Sequence, residues 1–275
     1  MLVPSSDTLT PNNRQKERPS TMSTAHHEAL QGRVALVTGA GRGMGKAIAE
    51  TLGKRGAWVA ACDIDGAAVV DTARAIVETA GEANAYRLDV ASAEGVRATV
   101  GQILTERDTV DILVNNAGIL YPTAFPQITV EEWDHTLAVN LTGAFLLAQA
   151  VYAGMKAAGW GRIINVSSSA GRSTSDLGGA HYTVSKAGLL GLTRHLAKEA
   201  GPEITVNAVC PGIIDTRMSA AHSTPEQLAA ILEHLPLKRI GTPQDVANLV
   251  AFLASDEAGY ITGESIEIDG GELMI

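Results

Sequence analysis

Seven short apolar runs, rich in β-branched residues, recur along this chain with helix-period segments between them, and that alternation narrows the fold more than any other feature. The runs are Val34–Thr38, Ala57–Cys62, Ala85–Leu88, Ile112–Asn115, Arg162–Ser167, Thr205–Val209 and Ser265–Ile268. Between most of them apolar residues return every three or four positions, as in Ala47-Ile48-Leu52 and Leu189-Leu192-Leu196. Strands that are apolar throughout need cover on both faces, which parallel strands with helical crossovers supply. The expected fold is α/β: a single doubly wound Rossmann-type domain on a seven-stranded parallel sheet. A length of 275 residues accommodates it, and no second domain is visible.

Residues 1–30 differ from the rest. They are polar, rich in Ser, Thr, Pro and Asn, and lack an apolar period, so they read as a disordered N-terminal tail ahead of a domain over 31–275. Met22 offers a second initiation point, which leaves residues 1–21 open. His26-His27-Glu28 lies in that tail without fixed geometry, and no metal is expected there. Thr224-Pro225 opens a short amphipathic helix to Leu235 that interrupts the alternation, and the segment at about 212–240 is expected to be a lid. The first thirty residues have no apolar centre of the secretory kind. The uncharged run Thr136–Met155 contains Asn140, Thr142 and Gln149, which suit a protein interface better than lipid. A net charge of -9 argues against nucleic acid or an anionic membrane as partner. Cys62 and Cys210 both lie in apolar runs and read as core residues of a reduced, cytoplasmic protein.

The first strand runs into Thr38-Gly39-Ala40-Gly41-Arg42-Gly43-Met44-Gly45 and then a helix. Glycines let backbone approach a ligand closely, and a helix N-terminus presents free N–H groups to a pyrophosphate. The spacing fits neither G-x-G-x-x-G nor a triphosphate-binding Walker loop. Asp63 ends the second strand twenty positions beyond Gly43, where a carboxylate grips the adenosine ribose hydroxyls and repels a 2′-phosphate. That favours NAD over NADP, although Arg42 could meet a 2′-phosphate. Tyr182 and Lys186 stand four apart on a helix and share a face. A nearby ammonium favours the phenolate, so Tyr182 is expected to be an acid/base group.

With Asp89-Val90, Asn115-Asn116-Ala117-Gly118, Asn140, Asn165-Val166-Ser167-Ser168, Pro211-Gly212-Ile213-Ile214-Asp215-Thr216 and Asp269-Gly270-Gly271 following in order, the chain resembles the classical short-chain dehydrogenase/reductases over roughly residues 32 to 272. The resemblance implies that Ser168 bonds the substrate oxygen, Tyr182 transfers the proton, Lys186 lowers its pKa and holds the nicotinamide ribose, and Asn140 anchors a relay water. It implies a cofactor set of Gly39, Arg42, Gly43, Met44, Gly45, Asp63, Asp89, Val90, Asn116, Ala117 and Gly118, shared with Tyr182 and Lys186. Pro211, Gly212, Ile214 and Thr216 complete the set, with Ile214 and Thr216 at the carboxamide. The loop Arg172–His181 is one residue longer than the family pattern, so counting from the strand end selects Ser168 and counting back from Tyr182 selects Ser169.

The expected activity is NAD-dependent hydride transfer between nicotinamide and a small secondary alcohol or ketone. One alternative is a 3-oxoacyl-carrier-protein reductase using NADPH, disfavoured by Asp63 and by a negative chain facing an acidic carrier. Another is a non-catalytic dinucleotide-binding scaffold. Surplus apolar surface on Thr136–Met155 and on the Leu189/Leu192/Leu196 face, together with the resemblance, points to a homotetramer.

Overall fold

The computed structural model describes residues 29–79 and 81–274; residues 1–28, with His26-His27-Glu28, lie outside the described part. The elements run β1 (Val34–Thr38), α1 (Gly43–Lys54), β2 (Trp58–Asp63), α2 (Gly66–Glu78), β3 (Glu82–Arg87), α3 (Ala93–Arg107) and β4 (Ile112–Asn115). Then come α4 (Val130–Leu137), α5 (Gly143–Ala158), β5 (Gly161–Val166), α6 (Ala180–Ala200) and β6 (Ile204–Pro211). Two short helices, α7 (Arg217–His222) and α8 (Pro225–His234), precede α9 (Pro243–Leu253) and β7 (Ser265–Ile268).

The strands form one parallel sheet in the order β3-β2-β1-β4-β5-β6-β7. Successive residues of each strand feed opposite faces. Ala35 and Val37 join a core with Ile48 and Leu52 of α1 and Val246 and Val250 of α9. Val34 and Leu36 join a second core with Val100 and Ile103 of α3 and Leu147 and Val151 of α5. Double cover explains why β1, β4, β5 and β6 are buried along their whole length and read as unbroken apolar runs. The edge strand β3 faces water at Glu82 and Arg87, and it begins three residues before the apolar run that marks it. The winding reverses between β1 and β4, and a crevice opens there at the carboxyl ends of the strands.

Leu30 corrects the tail boundary. Its side chain is 1% exposed, and its N–H donates to the Arg55 carbonyl at 2.9 Å. Burying that leucine contributes about 2 kcal/mol, so the packed domain begins by residue 30. The apolar run Thr136–Met155 belongs to a helix over Val130–Ala158 that is long and apolar enough to cross a membrane. It buries Leu147, Val151 and Met155 against the sheet, as a core helix does. A π turn, Ala138–Thr142, interrupts it at Asn140. Cys62 and Cys210 are buried free thiols, and burial pushes Cys210 up to about 12.

Between β6 and α9 the chain makes an excursion that adds no strand to the sheet. It leaves and returns at one point, where Asp215 N donates to Gly241 O (2.8 Å) and Gly241 N to Ile213 O (2.9 Å). The sequence pattern anticipates a single helix here; α7 is additional. A reciprocal cap between Thr216 and Ser219 starts it, a shorter signal than the Thr-Pro start of α8.

Candidate active site

The loop after β1 is held in shape by close backbone approach. Gly39 has a φ of +64°, and a Cβ on Gly45 would sit 2.0 Å from the Gly39 carbonyl oxygen. A side chain at either position would break the turn. Asn116 fixes it from β4, donating from Nδ2 to Thr38 O (2.8 Å) and Gly39 O (3.2 Å). Thr38 Oγ1 in turn accepts from Asn116 N and Ala117 N. The result is a cradle whose helix N-terminus opens on a cavity of about 480 Å³.

That cavity gathers the residues expected to hold a cofactor. Gly39, Arg42, Gly43, Met44 and Gly45 form its floor, and Asp63 closes one end. Asp89 and Val90 come from the end of β3, and Asn116, Ala117 and Gly118 from the end of β4. Asp63 Oδ2 accepts from Gly41 N (2.8 Å) and Oδ1 from Asp65 N (2.9 Å). Each carboxylate oxygen keeps acceptor capacity for a ribose hydroxyl. Arg42 is ion-paired with Asp65.

A smaller cavity of about 100 Å³ adjoins it, with Met44, Thr216 and Met218 lining both. Ser168, Tyr182, Pro211, Gly212 and Ile214 line this second space. Tyr182 and Ser168 share this lining; burial raises the phenol pKa above the ordinary tyrosine value, and the Ser168 hydroxyl opposes it by less. Ser169 also lines this space, and its hydroxyl lowers the Glu272 pKa against the larger effect of burial.

Lys186 and Asn140 line neither cavity. They lie behind Gly118, where a Cβ would stand 3.4 Å from Asn140 Oδ1 and 3.5 Å from Lys186 Nζ. Lys186 Nζ donates to Val166 O (2.8 Å) and stands 5.8 Å from the centre of the Tyr182 ring. Burial lowers its pKa to about 8. In this structure burial dominates, and the phenol is protonated at neutral pH. Asn140 Oδ1 accepts from Ile119 N (2.8 Å), and its Nδ2 donates to Ile119 O (2.9 Å) and Ser185 Oγ (3.0 Å), which leaves Oδ1 one further acceptor site.

A family model described as enoyl-(acyl carrier protein) reductase matches residues 39–272. A 3-oxoacyl-(acyl-carrier-protein) reductase of Vibrio cholerae is 45% identical over 248 residues, covering 90% of this chain and 99% of that protein. The chain is a classical short-chain dehydrogenase/reductase. An acetoacetyl-CoA reductase of Rhizobium meliloti is 42% identical over 243 residues, 87% of this chain and 98% of the relative. Among solved structures, a 3-oxoacyl-(acyl-carrier-protein) reductase of Brucella melitensis superposes with a TM-score of 0.87 at 33% identity, covering 96% of this chain and all of that one. A second Brucella melitensis structure, with NAD bound, gives 0.86 over 95% and 98%.

This short-chain dehydrogenase/reductase also has wall residues that the motifs do not reveal. Leu120, Thr174, Ser175, Asp176, Leu177 and Glu272 all face the smaller cavity. Burial, Asp269 and Asp176 together raise the Glu272 pKa. Glu272 arrives there because the chain turns back after β7 through Gly270 and Gly271, both at positive φ. The glycine pair signals the turn, but nothing in the sequence says which cavity the following glutamate meets.

Proposed function

We propose that the protein reduces 3-oxo thioesters to 3-hydroxy thioesters with NADH. The observation that carries the chemistry is the Ser168–Tyr182 pair: a protonated phenol and a serine hydroxyl lining one cavity that adjoins the dinucleotide cradle. The glycine cradle, Asp63 and the residues at the ends of β3 and β4 fit a nicotinamide dinucleotide, which supplies the hydride when bound. Ser168 and Tyr182 orient the carbonyl oxygen of the substrate, and Tyr182 gives it a proton as charge develops there. Lys186 keeps a positive charge behind Gly118 at neutral pH. Asn140 holds Ile119 and the loop that separates the two cavities. The excursion 212–240 closes over the site as a lid.

The sequence reading places a small alcohol or ketone first and the carrier-protein thioester second; the relatives favour reversing that order. Asp63 still favours NADH over the NADPH of that alternative, because its carboxylate meets the ribose directly. A second reading, a small neutral or hydroxylated ketone, is favoured by Asp176 and Glu272 on the cavity wall, since they repel anionic substrates. A homotetramer through α5 and α6 belongs to the same proposal, with Phe145 and Val184 exposed on them.

Purified protein assayed with acetoacetyl-CoA and a panel of neutral ketones, each with NADH and NADPH, tests all of this. The proposal expects the highest kcat/KM with the thioester and NADH. A neutral ketone turned over faster selects the second reading, and no turnover of any carbonyl returns the protein to the scaffold class. Asp63→Ser is expected to shift the NADH/NADPH ratio toward NADPH by about tenfold or more, the loss of a charge-assisted hydrogen bond.

A further inference from the structure

We propose that His181, paired with Glu132, is the positioning residue that aims Tyr182. His181 is fully buried, immediately precedes Tyr182, and has no part in the cradle or the cavities. Its Nε2 lies 2.8 Å from Glu132 Oε1, forty-nine residues away on α4. Its Nδ1 is buried without a partner. A phenylalanine would fill the same space with no orphaned nitrogen, so what the imidazole adds is the directed tie to Glu132.

The tie joins others that fix the start of the catalytic helix, where Ser175 N donates to Thr183 Oγ1 (3.3 Å) and Asn140 Nδ2 to Ser185 Oγ (3.0 Å). α6 starts at Gly179 with no side-chain cap. Its first turn is fixed from outside: Gly179 N donates to Tyr121 O (2.8 Å), and the Tyr121 ring stacks on His181 at 6.1 Å and 20°. A Cβ on Gly179 would meet the His181 ring at 2.7 Å, so glycine there keeps the ring's seat open. Glu132 is itself placed by the Thr129 cap of α4, where Thr129 Oγ1 accepts from Glu132 N. Consecutive helical residues point about 100° apart. The imidazole therefore faces α4 while the phenol faces Ser168, and a rotation that opens the first contact swings the second.

This inference rests on Tyr182 as the proton donor, and its test includes a readout independent of turnover. In His181→Phe the volume and the stacking stay while the tie is lost. We expect kcat to fall about tenfold, NADH affinity to stay within twofold and Tm to be unchanged or higher. Glu132→Ala is expected to match it, Glu132→Gln, which still accepts from Nε2, to keep at least half of wild-type kcat, and His181→Phe/Glu132→Ala to be no worse than either single variant. In protein carrying 13C-tyrosine, the Tyr182 signal, identified by its absence in Tyr182→Phe, should move in Glu132→Ala and stay in Glu132→Gln. A His181→Phe enzyme within twofold of wild type, a kcat loss that tracks Tm or NADH affinity, or a Tyr182 signal indifferent to Glu132→Ala overturns the assignment. The tyrosine spectrum decides it even if no carbonyl compound is turned over, an outcome that counts against the proposed function alone.

Discussion

The two halves of the site are built by different means. The dinucleotide cradle is made of backbone: Gly39, Gly43 and Gly45 shape one loop, and Asp63, Asp89 and Asn116 sit where neighbouring parallel strands end. The substrate side is made of side chains delivered from distant places, with Ser168 after β5, Tyr182 on α6, Met218 on α7 and Glu272 beyond β7. A wall fixed by backbone tolerates almost no change at its glycines. A wall of side chains on loops changes residue by residue. The first kind preserves a cofactor, and the second lets one fold serve many substrates.

If that division holds, the largest effect should come from the acid/base side chain of the substrate half. Tyr182→Phe is expected to lower kcat by about 10²- to 10⁴-fold, the range for a general acid, with NADH affinity nearly unchanged in a fluorescence titration. Gly45→Ala should do the reverse and strike the cradle. Its new Cβ, 2.0 Å from the Gly39 oxygen, forces the loop apart. Overpacking of that kind costs about 1–3 kcal/mol, so NADH affinity should weaken by about 10- to 100-fold while the enzyme that does bind turns over normally. A Gly45→Ala protein with wild-type affinity removes the contrast.

The same division explains what could be read in advance. The seven strands, their parallel arrangement, the glycine loop and Asp63 follow from local patterns: apolar runs, clustered glycines, an acid at a strand end; Asp89, Val90 and Asn116 to Gly118 follow only from the family resemblance. The pair Tyr182 and Lys186 follows from helical spacing. Their protonation does not, because burial depends on what the rest of the chain lays over them, and it sets the phenol high and Lys186 near 8. Counting from the strand end selects Ser168 and counting back from Tyr182 selects Ser169; both line the smaller cavity, and of the two Ser168 is the one that shifts the phenol pKa. Leu30 looks like the end of a polar tail until the Arg55 carbonyl and the core are seen to receive it. His181 is one polar letter before a motif, and Glu132, which gives it meaning, is on another helix.

Proton placement yields an intermediate effect with a definite sign. Lys186 carries its charge below about 8 and loses it above. The phenol, with its pKa raised by burial, is protonated across the neutral range. Carbonyl reduction, which needs the proton on Tyr182, should be level through pH 7 and fall by about tenfold per unit once pH passes the lysine value. Alcohol oxidation needs the phenolate, which the raised pKa of Tyr182 holds back to more alkaline pH, so it should stay low over that interval and rise only beyond it. Rate–pH profiles measured in both directions should therefore cross. Parallel profiles would mean that a group other than this pair carries the proton.

The smallest expected effect is the most informative about substrate. Asp176 and Glu272 lie at the cavity wall, where solvent screens them, and exposed charges act with about 0.2–1 kcal/mol each. Neutralising either, by Asp176→Asn or Glu272→Gln, should lower KM for an anionic thioester such as acetoacetyl-CoA by about two- to fivefold. KM for a neutral ketone should hardly move. Burial, with smaller contributions from Asp269 and Asp176, raises the Glu272 pKa, so acid pH should mimic Glu272→Gln and ease thioester binding in the wild type but not in that variant. Because neither Asp176 nor Glu272 is among the groups that shift the Tyr182 pKa, kcat should stay put in both variants. A fall in kcat with Glu272→Gln would show that the substrate wall and the proton donor are mechanically joined, and that the two halves of the site are less separate than their construction suggests.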